Sequence, residues 1–236
     1  MISFIDRKPL IHPSLFIKKK TLPPRMIVSW AEGFKKVLEE FEAEKIISRQ
    51  GYDIWLLEDV SFAIIPIGAP FAAMFMEEMK ERGVEEFLFI GSCGSLVDPG
   101  TAIIVPDRAL RDEGTSYHYI ASKEEFITVQ GCEEISTVLD ELSVPYVKGS
   151  TWTTDAVYRE TEEAAAEARE KGCICVDMEC SAIMAVAQYA KIKVRQLFFT
   201  ADRLKDKWNE GRLFSMKKSA YYNYLKLALF LIKKNA

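Results

Sequence analysis

Short apolar runs without polar alternation recur along the chain, and segments with helical spacing separate them. Such runs predict buried strands, because a strand covered on both faces has no solvent-facing positions. The predicted strands are 46–47, 54–57, 62–68, 86–90, 101–105, 173–176 and 194–199. The predicted helices are 32–42, 72–82, 161–171, 180–189 and most of 208–234.

Buried strands that alternate with helices predict an α/β fold. We expect a three-layer α/β/α sandwich around a central twisted sheet. The short strands near Ile46, Trp55 and Thr101 indicate a mixed sheet rather than a purely parallel one. Residues 1–236 are expected to form a single domain, in which residues 1–25, broken up by prolines, form an irregular N-terminal arm.

The composition narrows the class of protein. The chain is 49% hydrophobic and 28% charged, with a net charge of −4. This charge predicts no binding to nucleic acid or to an anionic membrane, so any anionic ligand must be held by locally placed groups. No apolar stretch approaches the ~18 residues of a membrane span, and the first residues lack the order of a secretion signal. We therefore expect a cytoplasmic protein.

Five cysteines, an odd number, indicate reduced thiols. Cys173 and Cys175 are expected to point to the same side of a strand and to form a packed pair of thiols. His12 and His118 are the only histidines, and neither has the spaced partners of a metal site. The sequence therefore predicts no metal.

Three of the predicted strands end in residues that could bind a ligand. In open α/β sheets ligands bind beyond the carboxyl ends of strands, and the loops after Ile90, Val176 and Phe199 fit this rule. Residues 91–95 are small, so a ligand can approach the backbone, and Ser92 can donate to an anion. A tight turn between strands is the alternative for this loop.

Carboxylates follow the other two strands. Asp177 and Glu179 stand between a strand and a helix, where a carboxylate could accept from vicinal hydroxyls or simply favour a helix N-terminus. Asp202 is a candidate proton donor, or else an N-cap with a salt bridge at Arg203. Residues 151–155 offer hydroxyls and an indole, either as a ligand wall or as a polar turn.

Taken in order, these segments resemble the nucleoside phosphorylase/uridine phosphorylase superfamily, from about Met26 to the end of the chain. The segments that carry the resemblance are Ile67–Pro70, Gly91–Gly94, Arg111–His118, Asp177–Glu179 and Ala201–Arg203. The resemblance implies a pentosyltransferase. It would cleave the N-glycosidic bond of a purine or pyrimidine ribonucleoside with phosphate as co-substrate and no other cofactor, giving free base and ribose 1-phosphate.

The resemblance also implies roles for individual residues and a homo-oligomer, either dimer or hexamer, because family sites borrow residues across subunits. Ribose would be bound by Met178, Glu179 and, from the arm, His12. Phosphate would be bound by Gly91, Ser92 and Arg49. The base would be bound by Cys93, Gly94, Thr154, Asp155, Val157 and Tyr158. Asp202 would donate a proton to a purine N7, and Arg203 would stabilise charge on a pyrimidine oxygen.

The chain departs from the family pattern at the phosphate site. Phe34 and Phe89 stand where the family carries two phosphate-binding arginines. Two alternatives to phosphorolysis therefore stay open. One is a nucleosidase that uses water, with Glu32 as a candidate base, and the other is a nucleoside-binding protein that has lost its phosphate site. Turnover that depends on phosphate separates a phosphorylase from a nucleosidase, and nucleoside binding without turnover indicates the binding protein.

Overall fold

A computed structural model describes residues 9–49, 51–98, 100, 103–205 and 207–234. In this part of the chain eleven strands form one sheet. The strands are β1 (Arg25–Ser29), β2 (Glu44–Arg49), β3 (Tyr52–Leu57), β4 (Val60–Ile64), β5 (Glu86–Ser95), β6 (Ile103–Asp112), β7 (Phe126–Thr128), β8 (Tyr146–Thr154), β9 (Cys173–Asp177), β10 (Lys193–Leu204) and β11 (Trp208–Asn209). The α-helices are α1 (Lys35–Leu38), α2 (Ala69–Glu81), α3 (Ser116–Tyr119), α4 (Cys132–Glu141), α5 (Glu162–Glu170), α6 (Cys180–Ala190) and α7 (Lys218–Lys233).

The sheet is mixed, as the short strands predict. Neighbouring strands follow the order β11-β10-β6-β8-β9-β5-β1-β4-β3-β2, while β7 pairs with β6 and β10 also pairs with β5. Strand β5 is parallel to β1 and β10, whereas β2, β3 and β4 are antiparallel neighbours. Because β10 pairs with both β5 and β6, strands β5, β10, β6, β8 and β9 close into a ring. This closure brings the ends of β5, β9 and β10 together.

Helices cover both faces of the sheet, so the predicted three-layer α/β architecture is confirmed. Phe87 and Phe89 of β5 pack in the core shared with α2 and α6, whereas Leu88 and Ile90 pack in the core shared with α4 and α7. Alternate residues of a strand point to opposite faces. The continuous apolar run of β5 therefore fills two cores at once.

Two element boundaries differ from the prediction. The segment 32–42, predicted as one helix, forms two 3₁₀ turns on either side of the short α1, and Gly33 lowers the helix propensity there. Strand β6 does not stop at Pro106 but continues to Asp112. Its register with β8 shifts between Pro106 and Ala109, and such an irregularity accommodates a residue without an N–H group. Residues 101 and 102 of the predicted strand lie outside the described residues.

The helices also differ in extent. Helix α7 begins only at Lys218, because Trp208–Asn209 form the strand β11 against β10. Helix α4 is not among the predicted helices, although Ile135, Val138 and Leu139 are buried with helical spacing. Within the described part of the chain, no helix combines the length and the apolar character needed to cross a membrane.

The prediction that Cys173 and Cys175 point to the same side of a strand and form a packed pair of thiols is wrong. The register of β9 against β8 moves from Ser150–Cys173 to Thr151–Cys175, so β9 carries one extra residue between the two thiols. Ser150 and Thr151 are consecutive and face opposite sides of the sheet, and their partners Cys173 and Cys175 therefore do so too. Cys175 instead lies near Cys93, and burial, followed by the interaction with Cys175, raises the pKa of the Cys93 thiol.

The described part of the N-terminal arm begins at residue 9, and residues 1–8 lie outside it. It contains a 3₁₀ turn at Pro13–Leu15. The backbone N–H groups of Thr21 and Leu22 donate to the carbonyl of Arg82, which anchors the arm to the end of α2. Its apolar side chains Leu10 and Phe16 are exposed.

Candidate active site

The candidate site lies where β5, β9 and β10 meet. Gly94 of β5 pairs with Asp202 of β10 on one side and with Val176 of β9 on the other. A cavity of about 300 Å³ opens at this point. The residues predicted to lie after Ile90 and Phe199 in loops are in fact continuations of β5 and β10, so strand pairing fixes their positions.

Seven of the fourteen predicted site residues line this one cavity. They are Ser92, Cys93, Gly94, Val157, Met178, Glu179 and Asp202. The remaining walls are mainly apolar and come from Trp30, Ile67, Val176, Leu204 and Leu213. A pocket with apolar walls and a few convergent polar groups is typical of a small-molecule site.

Glu179 is held in place at the start of α6. Its side chain is 1% exposed, and its Oε1 accepts a hydrogen bond from the N–H of Gly68 at 2.6 Å. Gly68 has a φ of 117°, a conformation that L side chains rarely adopt. Burial, and then the charge of Asp177, raise the pKa of Glu179 from 4.5 to about 8. Glu179 therefore carries a proton at neutral pH.

Asp177 lines the cavity, but hydrogen bonds within the protein occupy its carboxylate. Its carboxylate accepts four hydrogen bonds, two from the hydroxyls of Thr151 and Thr153 and two from the backbone N–H groups of Glu179 and Cys180. Burial raises the pKa of Asp177, while these hydrogen bonds lower it. Asp177 therefore fixes the turn from β9 into α6 and so orients Glu179.

Asp202 faces the cavity from β10. Its Oδ2 accepts a hydrogen bond from Nε1 of Trp208 at 2.9 Å. A Cβ atom on Gly94 would lie 3.4 Å from Oδ1 of Asp202, 2.6 Å from Leu204 and 2.9 Å from Val176. Only glycine therefore fits at position 94 without displacing these neighbours.

Glu160 is a further carboxylate in the cavity and is not among the predicted site residues. It follows the 3₁₀ turn Val157–Arg159, is half-buried, and lines the same space as Asp202. Burial, and then the charge of Asp202, raise the pKa of Glu160 from 4.5 to about 7. The only feature of the sequence that points to Glu160 is its position as a lone acid after a Thr-rich strand, and this acid belongs to no motif.

Trp30 occupies the space above Gly91. A Cβ atom on Gly91 would lie 2.5 Å from Nε1 of Trp30 and closer still to two of its ring carbons. Trp30, not Gly91, lines the cavity. Among the described residues that line this cavity there is no lysine, arginine or histidine. The indole ring therefore covers Gly91, whereas Ser92 of the predicted phosphate-binding loop lines a cavity that also holds carboxyl groups.

The structure places two predicted cationic residues elsewhere. The side chain of Arg203 donates to Oδ1 of Asp98 at 2.6 Å and lines a neighbouring cavity of about 360 Å³. Arg49 lines a third cavity of about 390 Å³ together with Glu32 and Lys35, and Trp30 is the wall between that cavity and the Glu179 cavity.

Four further predicted residues lie around the site rather than in it. Thr154 is buried and accepts from the N–H of Ala156 at 3.4 Å, and Asp155 accepts from the N–H of Gly114 at 2.9 Å. Tyr158 is 97% exposed. His12 lies on the arm, 3.9 Å from a carboxylate oxygen of α2. Within the described ranges, no group of three or more His, Cys, Asp or Glu is arranged to hold a metal ion.

Comparison with known proteins agrees with the geometry. The family model of the phosphorylase superfamily matches residues 31–227. Guanosine phosphorylase from Halorubrum lacusprofundi is 28% identical over 140 residues, which cover 55% of this chain and 55% of that protein. The chain spans about half the length of the curated relatives that it matches.

Solved structures share the fold. AMP nucleosidase from Bacteroides thetaiotaomicron has a TM-score of 0.75 at 19% identity, covering 90% of this chain and 88% of that one. Uridine phosphorylase from Vibrio fischeri has a TM-score of 0.68 at 23% identity, with the same coverage. Because the family model matches most of its residues, this chain belongs to the phosphorylase superfamily.

Proposed function

We propose that this protein cleaves the N-glycosidic bond of a ribonucleoside. The observation that carries the proposal is the pair Glu179 and Asp202, two carboxyl groups from distant parts of the chain that line one cavity of about 300 Å³. The superfamily relationship supports the same conclusion. A cavity with carboxyl groups and apolar walls suits a ribose with vicinal hydroxyls and a flat base.

The two carboxyl groups take different roles in this reaction. The bond between C1′ of the ribose and the ring nitrogen of the base breaks, and its electron pair stays on the base. Asp202 gives a proton to the base as general acid. Glu179 binds the ribose hydroxyls, and Met178 packs against the sugar.

The cavity favours water as the nucleophile. A phosphate dianion would enter a site lined by Glu160, Glu179 and Asp202, with no cation among the described lining residues. With no cation to pair with it, the dianion would lose its hydration without compensation, and burying an unpaired charge is strongly unfavourable. Water has no such penalty. Its oxygen bonds to C1′, and its released proton replaces the one that Asp202 gave to the base.

Phosphorolysis is the second candidate, and two observations favour it. Relatives of the chain include guanosine phosphorylase. In addition, Arg49 and Lys35 line the cavity on the far side of Trp30, where a movement of the indole would connect them to the site. This route gives ribose 1-phosphate instead of ribose.

Base release from a panel of purine and pyrimidine ribonucleosides and their 2′-deoxy counterparts tests the proposal. We expect release from ribonucleosides and weaker release from the deoxy compounds, because Glu179 loses one hydroxyl partner. Release that persists without phosphate supports hydrolysis, and release only with phosphate supports phosphorolysis. Tight nucleoside binding with no release from any member of the panel would contradict cleavage and identify a binding protein.

We also propose that the protein is a cytoplasmic homo-oligomer. Exposed apolar side chains on the arm, Leu10, Ile11 and Phe16, together with the exposed Tyr158 beside the site, support contacts between copies. Light scattering after size-exclusion chromatography distinguishes a dimer from a hexamer, and a monomer would contradict this part of the proposal.

A further inference from the structure

Two cavities lie side by side at the carboxyl ends of three parallel strands, and the indole of Trp30 separates them. Trp30 directly follows β1, which pairs with β4 on one side and with β5 on the other. The Glu179 cavity of about 300 Å³ lies on the β5 side, and the cavity of about 390 Å³ that contains Arg49 lies on the β4 side. Of the described residues that line these two cavities, Trp30 alone lines both.

The indole lies against the backbone of β5. A Cβ atom at Gly91 would overlap three atoms of the ring, with Nε1 at 2.5 Å, so the ring fits there because position 91 has no side chain. The backbone on either side of Trp30 is held by hydrogen bonds. The carbonyl of Ser29 accepts from the N–H of Ile65 at 2.9 Å, and Oγ of Ser29 accepts from the N–H of Ala31 at 3.1 Å. Trp30 is therefore a built wall between the two cavities.

The two cavities differ in the charges that they offer to an anion. The Glu179 cavity contains carboxyl groups and, among the described residues that line it, no cation. The neighbouring cavity contains Lys35 and Arg49. Its carboxylates Glu32 and Asp53 both pair with Lys35, at 2.7 and 3.7 Å. Arg49 takes no part in these two pairs, and a guanidinium group suits a phosphate because it can donate two parallel N–H bonds.

A phosphate ion in the Glu179 cavity would need a cation as partner, because burying an unpaired charge is strongly unfavourable. The nearest cations in the neighbouring cavity stand behind the indole of Trp30. A water molecule is neutral and needs no such partner. The position of the indole therefore favours water over phosphate inside the Glu179 cavity.

We propose that Trp30 is a specificity-determining residue that excludes phosphate from the cleavage site and so makes water the nucleophile. This inference rests on the proposed function, in which the glycosidic bond breaks in the Glu179 cavity. Without the indole, the space above Gly91 joins the two cavities, and a phosphate there pairs with Arg49. A phosphate oxygen then bonds to C1′ as the bond from C1′ to the base breaks. The base leaves with the electron pair and with the proton of Asp202, which solvent replaces.

The test is calorimetric titration of inorganic phosphate into the wild type, Trp30→Ala and the double variant Trp30→Ala/Arg49→Gln. We expect Trp30→Ala to bind phosphate at least about tenfold more tightly than the wild type, and the double variant to lose most of this gain. The matched control is Trp30→Ala/Arg108→Gln, which should keep the gain. Arg108 is an exposed arginine of β6 that stacks on Phe126 and lines neither cavity.

Two further substitutions keep the test decisive if Trp30→Ala does not fold. Trp30→Phe keeps an aromatic ring beside Gly91 and should bind phosphate as weakly as the wild type. Trp30→Val loses the ring but keeps an apolar side chain, and it should show the same gain as Trp30→Ala. The inference is overturned if the wild type binds phosphate as tightly as the folded variants with small side chains, or if their gain does not depend on Arg49.

Phosphate binding requires no bond cleavage, so the two proposals fail separately. If Trp30→Ala binds phosphate through Arg49 while the wild type releases no base from any nucleoside, the exclusion of phosphate by Trp30 is supported and the proposed reaction is refuted. If the wild type hydrolyses nucleosides but Trp30→Ala leaves phosphate binding unchanged, the reaction is supported and the role of Trp30 is overturned. Where both proposals hold, Trp30→Ala should form ribose 1-phosphate from adenosine and phosphate, whereas the wild type forms ribose.

Discussion

Glu179→Gln should change how the stability of the protein depends on pH. The pKa of Glu179 lies near 4.5 in the unfolded chain and at about 8 in the folded protein. Between these values the folded state holds a proton that the unfolded state has released, so the free energy of unfolding falls as pH rises from 4.5 to 8. At about 1.4 kcal/mol per pH unit, the full loss is about 5 kcal/mol.

Glutamine has no proton to lose, so the variant should not show this loss. Urea denaturation of the wild type and Glu179→Gln at pH 5, 7 and 8.5 measures the difference directly. The free energy of unfolding of the variant minus that of the wild type is compared with its value at pH 5. This difference should rise by roughly 3 kcal/mol at pH 7 and by more at pH 8.5. Glu162→Gln, an exposed substitution on α5, is the control and should follow the wild type.

The comparison uses the change with pH, so a constant offset from altered packing does not affect it. Parallel curves for the wild type and Glu179→Gln would refute the argument that burial holds Glu179 in its protonated form. The same variant should lower kcat/KM for ribonucleosides. Glu179 lines the cavity, and residues of functional sites often cost stability.

Two other substitutions test the roles of particular contacts. Asp202→Asn should reduce base release from purine nucleosides by 10²- to 10⁴-fold and from pyrimidine nucleosides much less; equal losses in steady-state assays would argue against Asp202 as the acid for N7. Gly91→Ala should lower the free energy of unfolding by about 1–3 kcal/mol, because its Cβ overlaps the indole of Trp30. Gly114→Ala, whose Cβ would make only an ordinary contact 3.7 Å from Asp155, is the matched control in urea denaturation, and similar losses in both variants would contradict the overlap.

The sequence predicts the parts of the fold that depend on local pattern. The apolar run of β5 indicates burial on both faces, and Phe89 and Ile90 do pack on opposite sides of the sheet. Glu179 and Asp202 are recognisable because each is an acid at the end of an apolar run. What brings them together is not local, because the ring closure depends on pairing between β5, β9 and β10.

Other features of the site could not be predicted from pattern. Trp30 and Glu160 belong to no motif. Trp30 reaches the cavity because it follows β1, which pairs with β5, and Glu160 reaches it from the segment between β8 and α5. The direction of the Arg203 side chain, in contrast, follows from its position in β10. Asp202 and Arg203 are consecutive in β10 and face opposite sides. Both residues line the neighbouring cavity of about 360 Å³, but only Asp202 also lines the Glu179 cavity.

Incubation of adenosine with the wild type and with Asp202→Asn in phosphate-free buffer, followed by analysis of the sugar product, tests the central claim most directly. The account predicts free adenine and free ribose in equal amounts from the wild type and a 10²-fold or greater loss of both in the variant. Ribose 1-phosphate formed only after phosphate is added would contradict water as the nucleophile. Undiminished adenine release by Asp202→Asn would contradict the assignment of this cavity as the place where the glycosidic bond breaks.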